Sequence, residues 1–141
     1  MIGIVPQKAV LFKGTIRHNM QWRDKNATDE DIWNALDIAQ AKDFVEKKPD
    51  KLDEMILQEG KNLSGGQRQR LTIARALVGG PEILILDDSA SALDLATDAR
   101  LRKAIHEKTS GMTVFIVSQR ISSIKSAHKI IVLYDGKIAR I

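Results

Sequence analysis

A run of four apolar residues, Ile83-Leu84-Ile85-Leu86, ends abruptly in the acidic pair Asp87-Asp88. A continuous apolar run of strand length is expected where a parallel sheet is covered by helices on both faces. Gly79-Gly80-Pro81 stands before it and stops a helical pattern over residues 64–78. After it, Asp94 can cap a second helix from Leu95 to about Lys108, with Leu101 and Ile105 on its buried face. Ser110-Gly111 ends that helix, and Met112 to Val117 reads as the next strand. Strand, helix and strand at this spacing form a crossover unit, expected to be right-handed. The fold class is therefore α/β, with a mostly parallel sheet flanked by helices.

The rest of the chain fits around this unit. Met1 to Val5 reads as a short strand ended by Pro6. From Thr15 to about Lys61 the pattern is polar and helical. Thr28 and Asp31 form a capping pattern ahead of Ile32, Trp33, Leu36 and Ala39. Phe44 belongs to a further short helix, and Pro49-Asp50 is expected to start another that carries Leu52, Met55 and Ile56, before Gly60 breaks the pattern. Near the end, a short helix is expected over residues 121–125. Asp135-Gly136 between residues 130–134 and 137–141 is a two-residue hairpin signal.

Composition excludes several classes. The chain has no cysteine, so it forms neither a disulfide framework nor a thiolate metal site. Its apolar runs are far shorter than the roughly 20 residues of a membrane helix, and Pro6, Gln7 and Lys8 interrupt any signal-peptide core. Membrane attachment therefore requires another segment or subunit, and the fragment itself is expected to be soluble. The net charge of +4 comes from scattered basic residues, with 4% aromatics, so no basic patch with stacking groups points to nucleic acid. His18, His106 and His128 are dispersed and read as surface or interface residues, and Trp22 and Trp33 as packing residues in the helical region, with a place bordering a coupling surface as the alternative for Trp22.

Two motifs carry chemistry. In Leu63-Ser64-Gly65-Gly66-Gln67-Arg68-Gln69-Arg70, Ser64 is an N-cap and Gln67 is at the N3 position of a capping box. Gly65 and Gly66 leave the first-turn amides open to an anion, which the helix dipole also favours. At the other motif, Asp87 and Asp88 fall at the carboxyl end of a parallel strand, the edge where such folds bind ligands. The first can hold Mg²⁺, and the second can orient or deprotonate an attacking water.

Residues 63–67 resemble the signature motif of the ATP-binding cassette (ABC) family, and residues 83–87 look like its Walker B strand. Ser91-Ala92-Leu93-Asp94 resembles the D-loop, Gln7 the Q-loop glutamine, and Ser118-Gln119-Arg120 the switch-histidine segment. Leu11-Phe12-Lys13-Gly14-Thr15-Ile16 with Asn19 resembles the version found in exporters. The resemblance covers essentially the whole chain. It implies the later part of a P-loop NTPase (RecA-like) cassette with a helical subdomain. Residues 1–14 would be the Q-loop strand and loop, 15–80 the helical subdomain with the signature helix, and 81–141 the end of the RecA-like core. The cofactors implied are ATP and Mg²⁺. Ser64, Gly65, Gly66 and Gln67 would contact ATP bound on a partner cassette, with Asp94 across that interface. Asp87, Asp88, Gln7 and Gln119 would serve this subunit's own ATP, with Gln7 and Asp87 toward the metal. The implied partners are a second cassette and membrane-spanning domains, at the cytoplasmic face of a membrane that is expected to be bacterial.

The chain departs from the family pattern in three ways. It holds no G-x-x-x-x-G-K-[ST] phosphate-binding loop, and is expected to begin too late to include it. Alone, it is expected neither to hydrolyse ATP nor to bind it with ordinary affinity. Asp88 stands where active members carry glutamate, and Gln119 where they carry histidine. Both changes fall on one site while the signature is intact, which suggests the degenerate subunit of a heterodimeric exporter (multidrug, peptide or lipid). A slow homodimer is the alternative. Two other readings are a DNA-maintenance ATPase of the SMC kind, which would require a long coiled coil between Gln7 and Ser64, and a non-enzymatic module offering its signature helix.

Overall fold

A computed structural model describes all 141 residues. Three parallel strands form the central sheet in the order β1 (Ile2–Val5), β4 (Ile83–Asp87), β5 (Thr113–Val117). In register, Ile4 lies beside Ile85 and Ile85 beside Phe115. The crossover from β4 to β5 is the helix α5 (Leu95–Lys108), capped by Asp94 as its sequence requires.

Between β1 and β4 lies the helical part. Its elements are α1 (Ile16–Met20), α2 (Asp29–Ile38), α3 (Lys42–Glu46) and the long α4 (Gly65–Leu77). Thr28 and Asp31 close the expected capping box at the start of α2. Gly14–Thr15 (β2) pairs antiparallel with Met55–Ile56 (β3). That pairing corrects the helical reading of residues 55 and 56: helical geometry stops after a single 3₁₀ turn at Lys51–Asp53, and Glu54 is extended. The Asn62 side chain then holds the segment from both sides, accepting from the Leu57 amide at 3.0 Å and donating to the Met55 carbonyl at 2.9 Å. A partner 40 residues away decides this local structure, and no local pattern announces it.

One hydrophobic core joins both parts. It takes Val5, Leu84 and Leu86 from the sheet, Ile32 and Leu36 from α2, and Leu71 and Ile73 from α4. At Gly3 a Cβ would lie 2.7 Å from the Ala76 carbonyl oxygen, so only glycine lets α4 and β1 approach this closely. The two faces of the sheet differ. Leu84 and Leu86 are buried, but on the other face Ile83 and Ile85 are only half-buried, and Ile2, Ile4, Phe115 and Val117 are exposed. The expectation of burial on both faces of β4 is thus met on one. The exposed face keeps the apolar composition that marks a covered one.

Beyond β5, a short helix α6 (Ile121–Ile124) is tied to α5 by the buried carboxylate of Asp98. Asp98 accepts from the Ser123 hydroxyl at 2.8 Å and pairs with Arg102 at 3.3 Å. β6 (Val132–Tyr134) and β7 (Lys137–Arg140) form the expected hairpin. Asp135 and Gly136 both have positive φ, 49° and 70°, as a type I′ turn requires. Trp22, read from the sequence as a packing residue, is 59% exposed and stacks on Phe12 at 4.3 Å. Trp33 packs against the core as expected.

Candidate functional site

The parallel register gathers residues from three strands at one edge. Val5 lies beside Leu86, so Gln7, two residues past β1, comes next to Asp88, two residues past Leu86. The Gln7 Nε2 donates to Asp88 Oδ2 at 3.3 Å. Asp88 has φ 47°, a left-handed conformation that aspartate tolerates better than most residues, and its amide donates to the Val117 carbonyl at 2.8 Å. This bond docks the turn after β4 onto the end of β5, two residues before Gln119. Asp87 and Gln119 are exposed at this edge, and Asp88 is half-buried. The structure therefore joins Gln7 to Asp88 directly and brings Asp87 and Gln119 to the same carboxyl end of the sheet.

The donor set at this edge suits a hard cation. Because Gln7 donates through Nε2, its amide oxygen is left for another partner, and Asp87 offers a carboxylate. Oxygen ligands are what Mg²⁺ takes, with water and phosphate oxygens completing the octahedron.

The second set of residues sits on α4. Ser64 Oγ accepts from the Gln67 amide at 3.1 Å, while Gln67 Oε1 accepts from the Ser64 amide at 3.1 Å. This is the reciprocal capping box read from the sequence. Gly66 has a second reason to be glycine: a Cβ there would lie 3.3 Å from the Ala92 carbonyl oxygen, whereas one at Gly65 would make only an ordinary contact, 3.6 Å from the Ala92 Cβ. Arg70, over the Phe44 ring at 4.9 Å, donates to the Gly66 and Gln40 carbonyls at 3.2 and 3.0 Å. Burial lowers its pKa, and the nearby Asp94 charge works against that shift. Asp94 caps α5: the Thr97 amide and hydroxyl donate to it at 2.7 and 3.0 Å, and these bonds hold its carboxyl below the usual range, the amide first.

No hydrogen bond runs from Ser64, Gly65, Gly66 or Gln67 to Gln7, Asp87, Asp88 or Gln119. What lies between the two sets is the loop Ser89–Asp94. Two residues that stand inside the quoted motifs but were given no role there hold this loop: Gln69 on α4 and Arg120 after β5. A signal for Gln69 was present in the sequence. It shares the helix stripe of Thr72, Ile73 and Ala76, so a polar side chain sits on a core-facing stripe. Arg120 had none, because its partners are backbone carbonyls distant in sequence.

Comparison with known proteins identifies the family. The family model described as "ABC transporter" matches residues 1–91. The chain belongs to the ABC transporter family. Its relatives are ATP-binding proteins of that family. An uncharacterised ABC transporter ATP-binding protein of Bacillus subtilis (strain 168), YwjA, is 44% identical over 97% of this chain and 24% of its own length. The β-(1→2)glucan export ATP-binding/permease protein NdvA of Nitrobacter winogradskyi is 44% identical over 97% of this chain and 22% of its own. A structure of a bacterial Atm1-family ABC exporter with ATP bound superposes with a TM-score of 0.92 at 34% identity, covering 99% of this chain and 24% of that one. The chain thus spans about a quarter of the length of these relatives.

Proposed function

We propose that this chain is part of an ATP-binding subunit of an exporter, working at the cytoplasmic face of a membrane as one of two cassettes that close head to tail on ATP. Ser64, Gly65, Gly66 and Gln67 would contact ATP held by the partner cassette, with Asp94 across that interface. Gln7, Asp87, Asp88 and Gln119 would face ATP held on this side, where Mg²⁺ supplies neutralisation of phosphate charge and would rest on Asp87 and the Gln7 amide oxygen. Residues 15–80 would dock on membrane-spanning domains. No helix of the chain is itself long and apolar enough to cross a membrane.

Within that reading, this chain forms the degenerate half of a heterodimer. The observation that carries it is the contrast between the closed Ser64–Gln67 capping box and the open acidic edge. At that edge Asp88 is bound only by Gln7 at 3.3 Å among the candidate residues, and Gln119 cannot carry the charge of a histidine. Aspartate is one methylene shorter than glutamate, and displacing a catalytic group by about 1 Å can cost about 100-fold.

The test is ATPase activity of the cassette completed by its phosphate-binding loop, comparing the native sequence with Asp88→Glu, Gln119→His. The 141 residues alone serve as the inactive baseline. A nearly inert native form and a double variant faster by roughly 100-fold support the degenerate assignment. A native form that turns over briskly, with little gain in the variant, favours a homodimer.

A further inference from the structure

The loop Ser89–Asp94 is gripped from both sides. From the β5 side, the Arg120 guanidinium donates to three of its carbonyls: Ser91 at 2.8 Å, Leu93 at 3.0 Å and Ala90 at 3.4 Å. From the α4 side, Gln69, which is 6% exposed, accepts from the Ala92 amide at 2.8 Å and donates to the Ser91 hydroxyl at 3.1 Å. The two grips alternate along the chain, at residues 90, 91 and 93 for Arg120 and at 91 and 92 for Gln69. The Ala92 carbonyl closes against Gly66 in the first turn of α4. A planar fork with several fixed donors can hold three carbonyls at once, which a lysine ammonium does not reproduce.

Each grip belongs to one of the two candidate residue sets. Arg120 directly follows Gln119, and its amide donates to the Ser118 hydroxyl at 3.0 Å, which closes a local turn around Gln119. Gln69 lies half a turn past Gln67. We propose that Arg120 and Gln69 are positioning residues that clamp the Ser89–Asp94 loop, so that the end of the sheet bearing Gln119 and the start of α4 bearing Ser64–Gln67 shift together. The coupling role rests on the function proposed above; the clamp itself does not. A displacement at Gln119 reaches the start of α4 through Arg120, the loop carbonyls, Ala92 and Gly66. The chain thereby links its own nucleotide edge to the surface it offers its partner.

Two measurements on the full-length transporter containing this chain test it. The first is amide hydrogen exchange in Arg120→Gln, Arg120→Lys and Gln69→Leu, the last removing both the acceptor for the Ala92 amide and the donor to Ser91. Exchange at Ala92 should accelerate at least about tenfold in each, and in both Arg120 variants the increase should extend to Gln67, on the far side of the loop. Unchanged exchange at Ala92 overturns the clamp; an increase confined to the loop overturns the coupling. The second is steady-state ATPase activity. Both Arg120→Gln and Gln69→Leu should lower kcat by about 10- to 100-fold with KM for ATP within about twofold, and the double variant should be no worse than the poorer single, as expected for residues acting on one element. Losses that multiply, or a KM rising in step with the fall in kcat, overturn it. If the unmodified transporter shows no ATPase activity, the functional reading fails, while the exchange result still decides the clamp.

Discussion

At the start of α4, Ser64 and Gln67 exchange two hydrogen bonds of 3.1 Å, Arg70 reaches back to the Gly66 carbonyl, and Leu71 beneath them is fully buried. At the carboxyl end of the sheet, Gln7 meets Asp88 at 3.3 Å, Asp87 and Gln119 are exposed, and the strand face running toward them is bare. Both regions carry the motifs of one family, yet only the first is held in place by packing and reciprocal bonding within these residues. A helix terminus organises its own amides with two side chains three residues apart. A site at the end of a sheet depends on several strands, on what covers them and on ligands that the chain does not itself supply.

Substitutions can sharpen or break this comparison. The largest effect expected is from Leu71→Ala, which should cost roughly 2–5 kcal/mol in urea unfolding because it opens a cavity beneath the first turns of α4. Phe115→Ala, on the bare face beside the acidic edge, should cost less than about 0.5 kcal/mol. Equal losses would mean that the exposed face is covered in solution. Ser64→Ala should cost about 1 kcal/mol through the lost N-cap. A full loss of helical signal would instead show that the cap nucleates α4.

The smallest effect lies at the other capping box. The Thr28 amide and hydroxyl hold the exposed Asp31 carboxyl below its usual value, the amide bond first. A group with a depressed folded pKa stabilises above its unfolded pKa, near 4, and that contribution is lost as pH falls through the lower folded value. Asp31→Asn should therefore bring the unfolding midpoints of variant and native chain together as pH is lowered from about 5 to about 2. A gap that stays constant across that range would show that charge plays no part.

Features set by near neighbours in sequence were legible. The Ser64 and Thr28 capping boxes, the Asp94 cap, the extent of α4 and the Asp135-Gly136 turn all follow from residues within one turn of each other. Features set by distant partners were not. Met55 and Ile56 look helical until Gly14 and Thr15 pair with them, and Arg120 looks like any surface arginine until the Ser89–Asp94 loop folds back onto it. The bare sheet face lies between these cases: composition correctly marks it as apolar, but composition cannot say whether the same chain covers it. The candidate residues at the acidic edge were named from motif order, and the β1–β4 register accounts for how Gln7 and Asp88, 81 positions apart, come to touch.

α4 has 13 residues, so it is about 20 Å long at 1.5 Å per residue. Its first turn carries Ser64–Gln67. Near its other end, Arg75 donates to the Val10 carbonyl at 2.9 Å and lies 5.3 Å from the centre of the Phe12 ring, which in turn stacks on exposed Trp22. Leu71 and Ile73, near its middle, are fully enclosed by the core. Burial does not stop there: Ala74, Ala76 and Leu77 are buried too, and Ala76 lies against Gly3 of β1, while Gly65, Gly66 and Gln67 are only half-buried. The helix is built as a cantilever, its later two-thirds set in the hydrophobic core and its first turn projecting from that anchorage.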